Sequence, residues 1–283
     1  MAITNRISLT SQLTAAARAR ESRRADRLFE DKLAEAMAGP EGIALMDRIE
    51  TAARPAGSHA PLDNPYIAIR THFIDEFIAA QLARPELRQV VLVAAGLDCR
   101  AFRLAWPPGL RLFEIDLPEV LLAKQVILDE LGARADCDRR RVAIDLAAPW
   151  DGALGEAGFD RREPILWVIE GLLPYLEEEA AHAVIANCSS LSVPGSHLFA
   201  DAVSRSFIES PWTQPYLKAL EHEGAPWKFG TNEPEALFAR HGWHATVLRP
   251  GDEGANYGRW PYPRPPRHSA DLLESYLITA TRS

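Results

Sequence analysis

Gln89 to Arg100 reads QVVLVAAGLDCR. Five apolar residues, Val90 to Ala94, run without a break and lead through Ala95 and Gly96 into a charged turn. An apolar run rich in β-branched residues and lacking alternation belongs to a strand buried on both faces, hence to the centre of a parallel sheet. Gly96 falls at the carboxyl end of that strand, where ligands of open α/β sheets lie in the crevice beyond the strand tips. Its missing side chain either ends the strand or lets a ligand come against the backbone.

The next strand decides between the two. RLFEID, Arg111 to Asp116, is apolar and closes on Glu114 and Asp116. Gly96 and Asp116 stand about 20 residues apart, the separation found between a nucleotide-binding turn and the acid that grips a ribose diol. A carboxylate suits that task because it accepts from both vicinal hydroxyls. The turn carries one glycine, not G-x-G-x-x-G, so the expected ligand contains a ribose without a diphosphate.

Outward from this pair the chain alternates. A helix over Pro118 to Leu131 precedes a third strand, RVAIDL (Arg141 to Leu146), which ends in Asp145. PILWVIEGLLPYL (Pro164 to Leu176) holds the fourth, passing into a loop at Glu170. A helix over Glu177 to Leu191 leads to the fifth, HLFADAV (His197 to Val203). Glu233 to His241 is a helix, Trp243 to Leu248 and Ser275 to Thr281 are the last strands, and 251–268 is a proline-rich loop. Regular alternation predicts an α/β fold with a doubly wound, seven-stranded, mostly parallel sheet. Three successive strands end in a carboxylate, Asp116, Asp145 and Glu170, which points to binding at that edge.

Residues 1–65 precede the core. Ser11 to Arg24, Ala25 to Ala38 (closed by Gly39-Pro40) and Ile43 to Ala53 read as helices, followed by a Pro/Gly/Ser-rich loop over 54–65. They either pad one face of the sheet or cap the strand tips. Tyr66 to Ala83 is an amphipathic helix with Ile69, Phe73, Phe77, Ile78 and Leu82 in its stripe. Arg70 near its start is either a solvated charge or a planar fork that reaches a ligand carboxylate over the strand tips. Ser204 to Asn232 interrupts the alternation with aromatics and prolines, as a substrate lid or as a packed excursion. The expected division is a helical cap over 1–65 and a core over 66–283 with a lid insertion at 204–232.

Composition bounds the function. The 283 residues are 47% hydrophobic with a formal net charge of −8, and the arginines are interleaved with acids, so nucleic acid is not the expected partner. Cys99, Cys137 and Cys188 are too widely spaced for a disulfide framework or a C-x-x-C zinc site, and no metal is expected. The N-terminus lacks the apolar core of a signal peptide and no window reaches a membrane span, so a cytoplasmic protein is expected.

These segments in this order resemble the class I S-adenosylmethionine-dependent methyltransferases of the leucine carboxyl methyltransferase type, which include bacterial O-methyltransferases of polyketide pathways. The resemblance rests on RTHFIDEF (70–77), VLVAAGLDCRAFRL (91–104), LFEIDLPEVLLAK (112–124), VAIDLAAPW (142–150) and VIEGLLPYL (168–176). It covers about residues 15–281, with Cys99 standing where threonine is usual. It implies S-adenosyl-L-methionine as cofactor, with Arg70 on its carboxylate and Gly96 against its methionine moiety. Asp116 would bind the ribose, Asp145 and Leu146 would flank the adenine, and Glu170 would lie near the sulfonium. An N-terminal basic residue, Arg18 or Arg20, would also reach the cofactor carboxylate.

The resemblance further implies methyl transfer to a carboxyl or hydroxyl oxygen of a small molecule, in keeping with secondary metabolism. A dinucleotide-dependent oxidoreductase, a carboxyl methyltransferase acting on a protein or peptide, and a non-catalytic binder are the alternatives. Glu170 and Tyr175 are the substrate-side candidates for catalysis. Tyr175, Trp212 and Tyr216 are expected to line an aromatic acceptor pocket that favours a flat or hydrophobic molecule. Oligomeric state is not readable from the sequence.

Overall fold

Every residue of the strand Gln89–Val93 (β1) is buried. β1 pairs in parallel with β2 (Arg111–Asp116) on one side and β4 (Leu166–Ile169) on the other, as a central strand must. The computed structural model describes residues 6–53, 64–267 and 272–283. Among them a seven-stranded sheet runs in the order β3-β2-β1-β4-β5-β7-β6, with β3 at Asp138–Ala143, β5 at His197–Val203, β6 at Trp243–Leu248 and β7 at Ser275–Arg282. β7 is antiparallel to both neighbours, β5 and β6. The remaining pairs are parallel.

The helices follow in chain order. α1 (Arg6–Ser22), α2 (Ala34–Ala53) and α3 (Tyr66–Leu82) precede the sheet. α4 (Arg100–Arg103), α5 (Pro118–Glu130), α6 (Asp151–Glu156) and α7 (Glu178–Ser190) connect the first five strands. α8 (Arg205–Glu209), α9 (Gln214–His222) and α10 (Pro234–Ala239) come after β5. Alternate residues of β1 feed two cores. Val91 and Val93 join Phe113, Trp167 and Leu198 in one cluster, whereas Val90 and Leu92 join Leu112, Phe199 and the α3 residues Ile69, Ile74 and Ile78 in the other. Burial on both faces is why the β1 stretch shows no alternation.

Three expectations are corrected. The periodic segment over 25–38 is helical only from Ala34, because residues before it turn to bury Phe29 and Asp31. Gly39, at φ 59° and ψ 177°, then breaks α2 ahead of Pro40. β3 starts and ends earlier than the apolar pattern suggested, its register with β2 running from Arg111↔Asp138 to Asp116↔Ala143. An edge strand has one neighbour, and its arginines Arg139 and Arg140 lie along β2 rather than in solvent loops. Asp145 therefore lies past the strand end and not at its tip. Of the loop over 54–65, residues 54–63 lie outside the described residues, as does His268.

Glu114 and Asp116 part company although both close β2. Two residues apart, they share a face of the strand and differ in their place along it: Asp116 ends β2 at the cavity, whereas Glu114 lies one pleat back under α5, where its Oε1 meets Lys124 Nζ at 2.8 Å and its Oε2 meets Arg139 Nη2 at 2.6 Å. Both Glu114 and Lys124 side chains have no solvent exposure. Breaking a buried pair by removing one partner strands the other charge and costs about 3–5 kcal/mol. Glu114→Ala is expected to lower the unfolding free energy by about that amount in urea titrations. A loss below ~1 kcal/mol would show that Lys124 finds water or another partner.

Candidate functional site

The tips of β1, β2, β4 and β5 open into a cavity of about 560 Å³. That size lies within the range of small-molecule sites. The turn after β1 forms one wall and Asp116 stands beside it. Gly96 holds φ +46°, and a Cβ there would come within 2.6 Å of Ser11 Oγ on α1. Backbone conformation and the close approach of α1 both call for glycine here. Ala94 holds φ 53° without being glycine, a left-handed conformation that costs an L-residue roughly 1–2 kcal/mol. It is held by the turn in which Ala95 N donates to Ile115 O at 3.1 Å and Asp98 N to Ala95 O at 2.9 Å.

Asp116 is oriented by backbone. Its Oδ2 accepts from Gly96 N–H at 2.7 Å and its Oδ1 from Leu117 N–H at 2.7 Å. A carboxylate has about four lone-pair sites, so each oxygen keeps one for a ligand hydroxyl. Burial pushes its carboxyl above the usual range, and the two amides offset part of that.

Arg70 lies on the cavity wall, and its guanidinium is largely committed to protein carboxylates. Nε meets Glu170 Oε1 at 3.0 Å and Nη1 meets Asp201 Oδ2 at 2.8 Å. It can present only its remaining edge to a ligand. Asp201, in the middle of β5, also accepts from the Tyr66 hydroxyl at 2.9 Å and from Gly171 N–H at 2.6 Å. Glu170 passes the chain on, its Oε2 meeting Arg100 Nη1 at 2.6 Å. Arg100 also binds Asp98 and reaches Asp75 Oδ1 at 2.7 Å, and Asp75 in turn holds Arg103 at 2.6 Å. Burial opposes ionisation of Glu170 and Asp98. The arginines win at both, so the Glu170 carboxyl lies below its usual range and that of Asp98 is held down at about 2.

Both N-terminal arginines reach the cavity. Arg18 is buried, its Nε on Asp31 at 2.9 Å and its Nη2 donating to Leu97 O at 2.7 Å, which ties α1 to the glycine turn. Arg20 pairs with Glu50 of α2 at 2.7 Å and stays about a third exposed. Tyr175 and Tyr216 line the cavity. Trp212 does not. Its side chain is 87% exposed at the start of α9, and the tryptophan on the wall is Trp227, edge-on to Tyr216 with ring centroids 5.4 Å apart.

Asp145 and Leu146 are also absent from the cavity wall. Asp145 is exposed and turns its Oδ1 to Ala147 N–H at 3.0 Å, while Leu146 packs on the sheet core. The loop they begin follows an edge strand that ends at Ala143. The sequence reading missed Asp201, Asp98, Arg100 and Trp227. A lone aspartate inside the otherwise apolar HLFADAV was the available signal for the first. Among the described residues no group of three metal-ligating side chains comes together, and no helix is long and apolar enough to cross a membrane.

Comparison with known proteins places this geometry. Residues 11–189 match the sequence model of the leucine carboxyl methyltransferase family. A Frankia alni protein is 39% identical over 98% of this chain and 95% of its own length, and a Saccharopolyspora erythraea protein is 42% identical over 91% and 90%. Both carry names that class them with the S-adenosyl-L-methionine-dependent methyltransferases. Solved structures share the fold at low identity. One from Thermobifida fusca, titled as a methyltransferase, has a TM-score of 0.61 at 18% identity over 94% of both chains. One from Streptomyces avermitilis, of a family known as DUF574, has 0.59 at 12% over 95% and 97%.

The ion network carries a pH signature. A carboxyl whose folded value lies below its unfolded one contributes stability that is complete above the unfolded value and is lost as pH falls through the folded one. For Asp98 that window runs from its ordinary 3.8 down to about 2, worth about 2 kcal/mol. Urea unfolding at stepped pH is expected to show Asp98→Asn converging on the wild type as pH drops through this window. A stability difference that stays constant down to pH ~2 would show that Asp98 is not held ionised by the network.

Proposed function

The chain belongs to the leucine carboxyl methyltransferase family of S-adenosyl-L-methionine-dependent methyltransferases, and we propose that it methylates a carboxylate oxygen of a small, largely apolar molecule. One observation carries the choice of nucleophile: apart from Asp116, which two backbone amides hold and a ribose diol would occupy, no acidic group among the described lining residues is left to act as a base. Glu170 and Asp98 are held ionised by arginines. Asp201 is shared among Tyr66, Arg70 and Gly171, and Glu50 is paired with Arg20. Burial raises the Tyr175 and Tyr216 phenols, which keeps them protonated. No histidine stands among the described lining residues. A hydroxyl acceptor profits from a general base, whereas a carboxylate arrives already ionised. Glu170, a candidate for catalysis in the sequence, is better suited to holding Arg70 and Arg100 in place.

The residues fit the cofactor. The turn at Gly96 lines the cavity, Asp116 keeps lone pairs for a ribose diol, and the remaining edge of Arg70 and the N-terminal arginines suit a carboxylate. Bound there, S-adenosylmethionine supplies a methyl group activated by its sulfonium. The protein's share is then alignment of the two reactants and exclusion of water. In the same reading residues 1–65 are a cap, 66–283 the core and 204–232 a lid. Support comes from Ser11 and Arg18 on α1 and Tyr216 on α9, which all stand on the wall. Asp145 and Leu146 would meet the adenine only if the loop after β3 drew in.

Two measurements test this. Asp116→Ala removes an acceptor of charge-assisted hydrogen bonds worth ~1.5–3 kcal/mol each, so calorimetry is expected to show cofactor affinity down at least ~10-fold. Unchanged affinity in the folded variant would sink the ribose assignment. With labelled cofactor and matched sets of apolar acids and phenols, methyl esters are expected, at a rate flat from about pH 6 to 9 because no base titrates there. Methyl ethers formed at a rate rising with pH would instead mark a hydroxyl acceptor.

A further inference from the structure

We propose that Tyr216 selects the acceptor, its hydroxyl donating to the acceptor's carboxylate while the corner formed by the Trp227 and Tyr175 rings packs against a planar system, so that the substrates are aryl carboxylic acids. This rests on the carboxylate reading of the site and narrows it. α9 is anchored by Leu217 and Leu220, the latter packed with Leu45 and Ile49 of α2, so Tyr216 is presented from a fixed base. Trp227 stands edge-on to two rings. Its centroid lies 5.4 Å from that of Tyr216 at an interplanar angle of 80°, and 6.1 Å from that of Tyr175 at 88°. Phe207 backs both Trp227, at 5.7 Å, and Tyr216, at 6.5 Å. Such a corner offers a planar guest both edges and faces, and aromatic pairs in these geometries gain beyond what area alone gives.

The polar end is equally defined. The Tyr175 hydroxyl neighbours the Trp227 indole and Thr10. That of Tyr216 takes no hydrogen bond from the described protein and is not among the buried unpaired atoms, so it meets the cavity. Arg70 and Tyr175, the two groups whose charge the Tyr216 hydroxyl feels, line the same cavity as Tyr216. Because burial keeps the phenol protonated, it donates. The complement of an uncommitted O–H donor beside an aromatic corner is an anionic oxygen on a flat ring, and O–H···O⁻ bonds are short and strong.

The test titrates the adenosylhomocysteine-loaded protein with naphthoate, with the saturated decalin carboxylate and with naphthol, by calorimetry. Naphthoate is expected to bind about tenfold tighter than its saturated counterpart. Tyr216→Phe, which keeps the ring, is expected to weaken naphthoate about tenfold while adenosylhomocysteine affinity stays unchanged. Trp227→Leu is expected to erase the preference for the flat acid, and Trp212→Ala, at the exposed position, to change neither. Equal affinities for the flat and saturated acids, or wild-type naphthoate binding by Tyr216→Phe, would overturn this proposal and leave the carboxylate reading standing. Naphthol binding in preference to both acids would overturn the carboxylate reading itself.

Discussion

The pairing of Arg70 and Arg100 around Glu170 is the contact on which the site depends. Glu170 follows β4, Arg70 belongs to α3 and Arg100 opens α4, so one carboxylate joins three separate stretches of chain. Through Asp201 the linkage reaches β5, through Asp98 the turn after β1, and through Asp75 back to α3. Charges in a low-dielectric interior are costly unless paired, and every member here except Asp98 has more than one partner. The strand tips are thereby bound to one another at the level where the cavity opens. Apolar packing does not supply this tie, because the side chains that meet at this level are charged.

That constraint explains a local oddity. Ala94 sits in left-handed backbone at the end of β1, where glycine would be strain-free. The turn persists because both its ends are held. Asp116 takes Gly96 N–H on one side, and on the other Asp98 is bound to Arg100 both by its side chain and by the backbone N–H of Arg100 at 2.6 Å. Strain of ~1–2 kcal/mol persists where the surroundings over-determine a conformation. A ligand hydroxyl on Asp116, as proposed, would be coupled to the turn. Whatever displaces the carboxylate loosens the turn.

How much of this was legible in the sequence follows from the range of the interactions. β2, β5 and β6 fall where the apolar runs lie, since burial on a strand is written in consecutive residues. That Gly96 and Asp116 meet at one edge of the sheet was legible because their spacing falls within one βαβ unit, and the seven-stranded doubly wound sheet followed from alternation. The partners of Arg70 were not. Glu170 and Asp201 lie 100 and 131 residues away, and nothing local marks which carboxylate an arginine will meet. Asp145 misled because the apolar pattern of an edge strand is weak and its end is set by register with β2. Trp212 and Trp227 share one aromatic stretch, and only the packing of α9 on α2 determines that the first faces solvent and the second the cavity.

The two halves of the cavity are consequently built on different principles. Around Gly96, Asp116 and Arg70 the wall is backbone and paired charge, so a substitution there disturbs several elements at once. Around Tyr216 and Trp227 the wall is side chains carried by α9 and the segment after it, resting on α2 through Leu45, Ile49 and Leu220. Hydrophobic contacts of this kind tolerate exchange of shape if volume is kept, whereas a buried ion network does not tolerate loss of a member. A protein so arranged can keep its reaction while its acceptor changes. On the proposed reading the residues that decide what is methylated belong on the aromatic side, and those that hold the methyl donor belong at the strand tips.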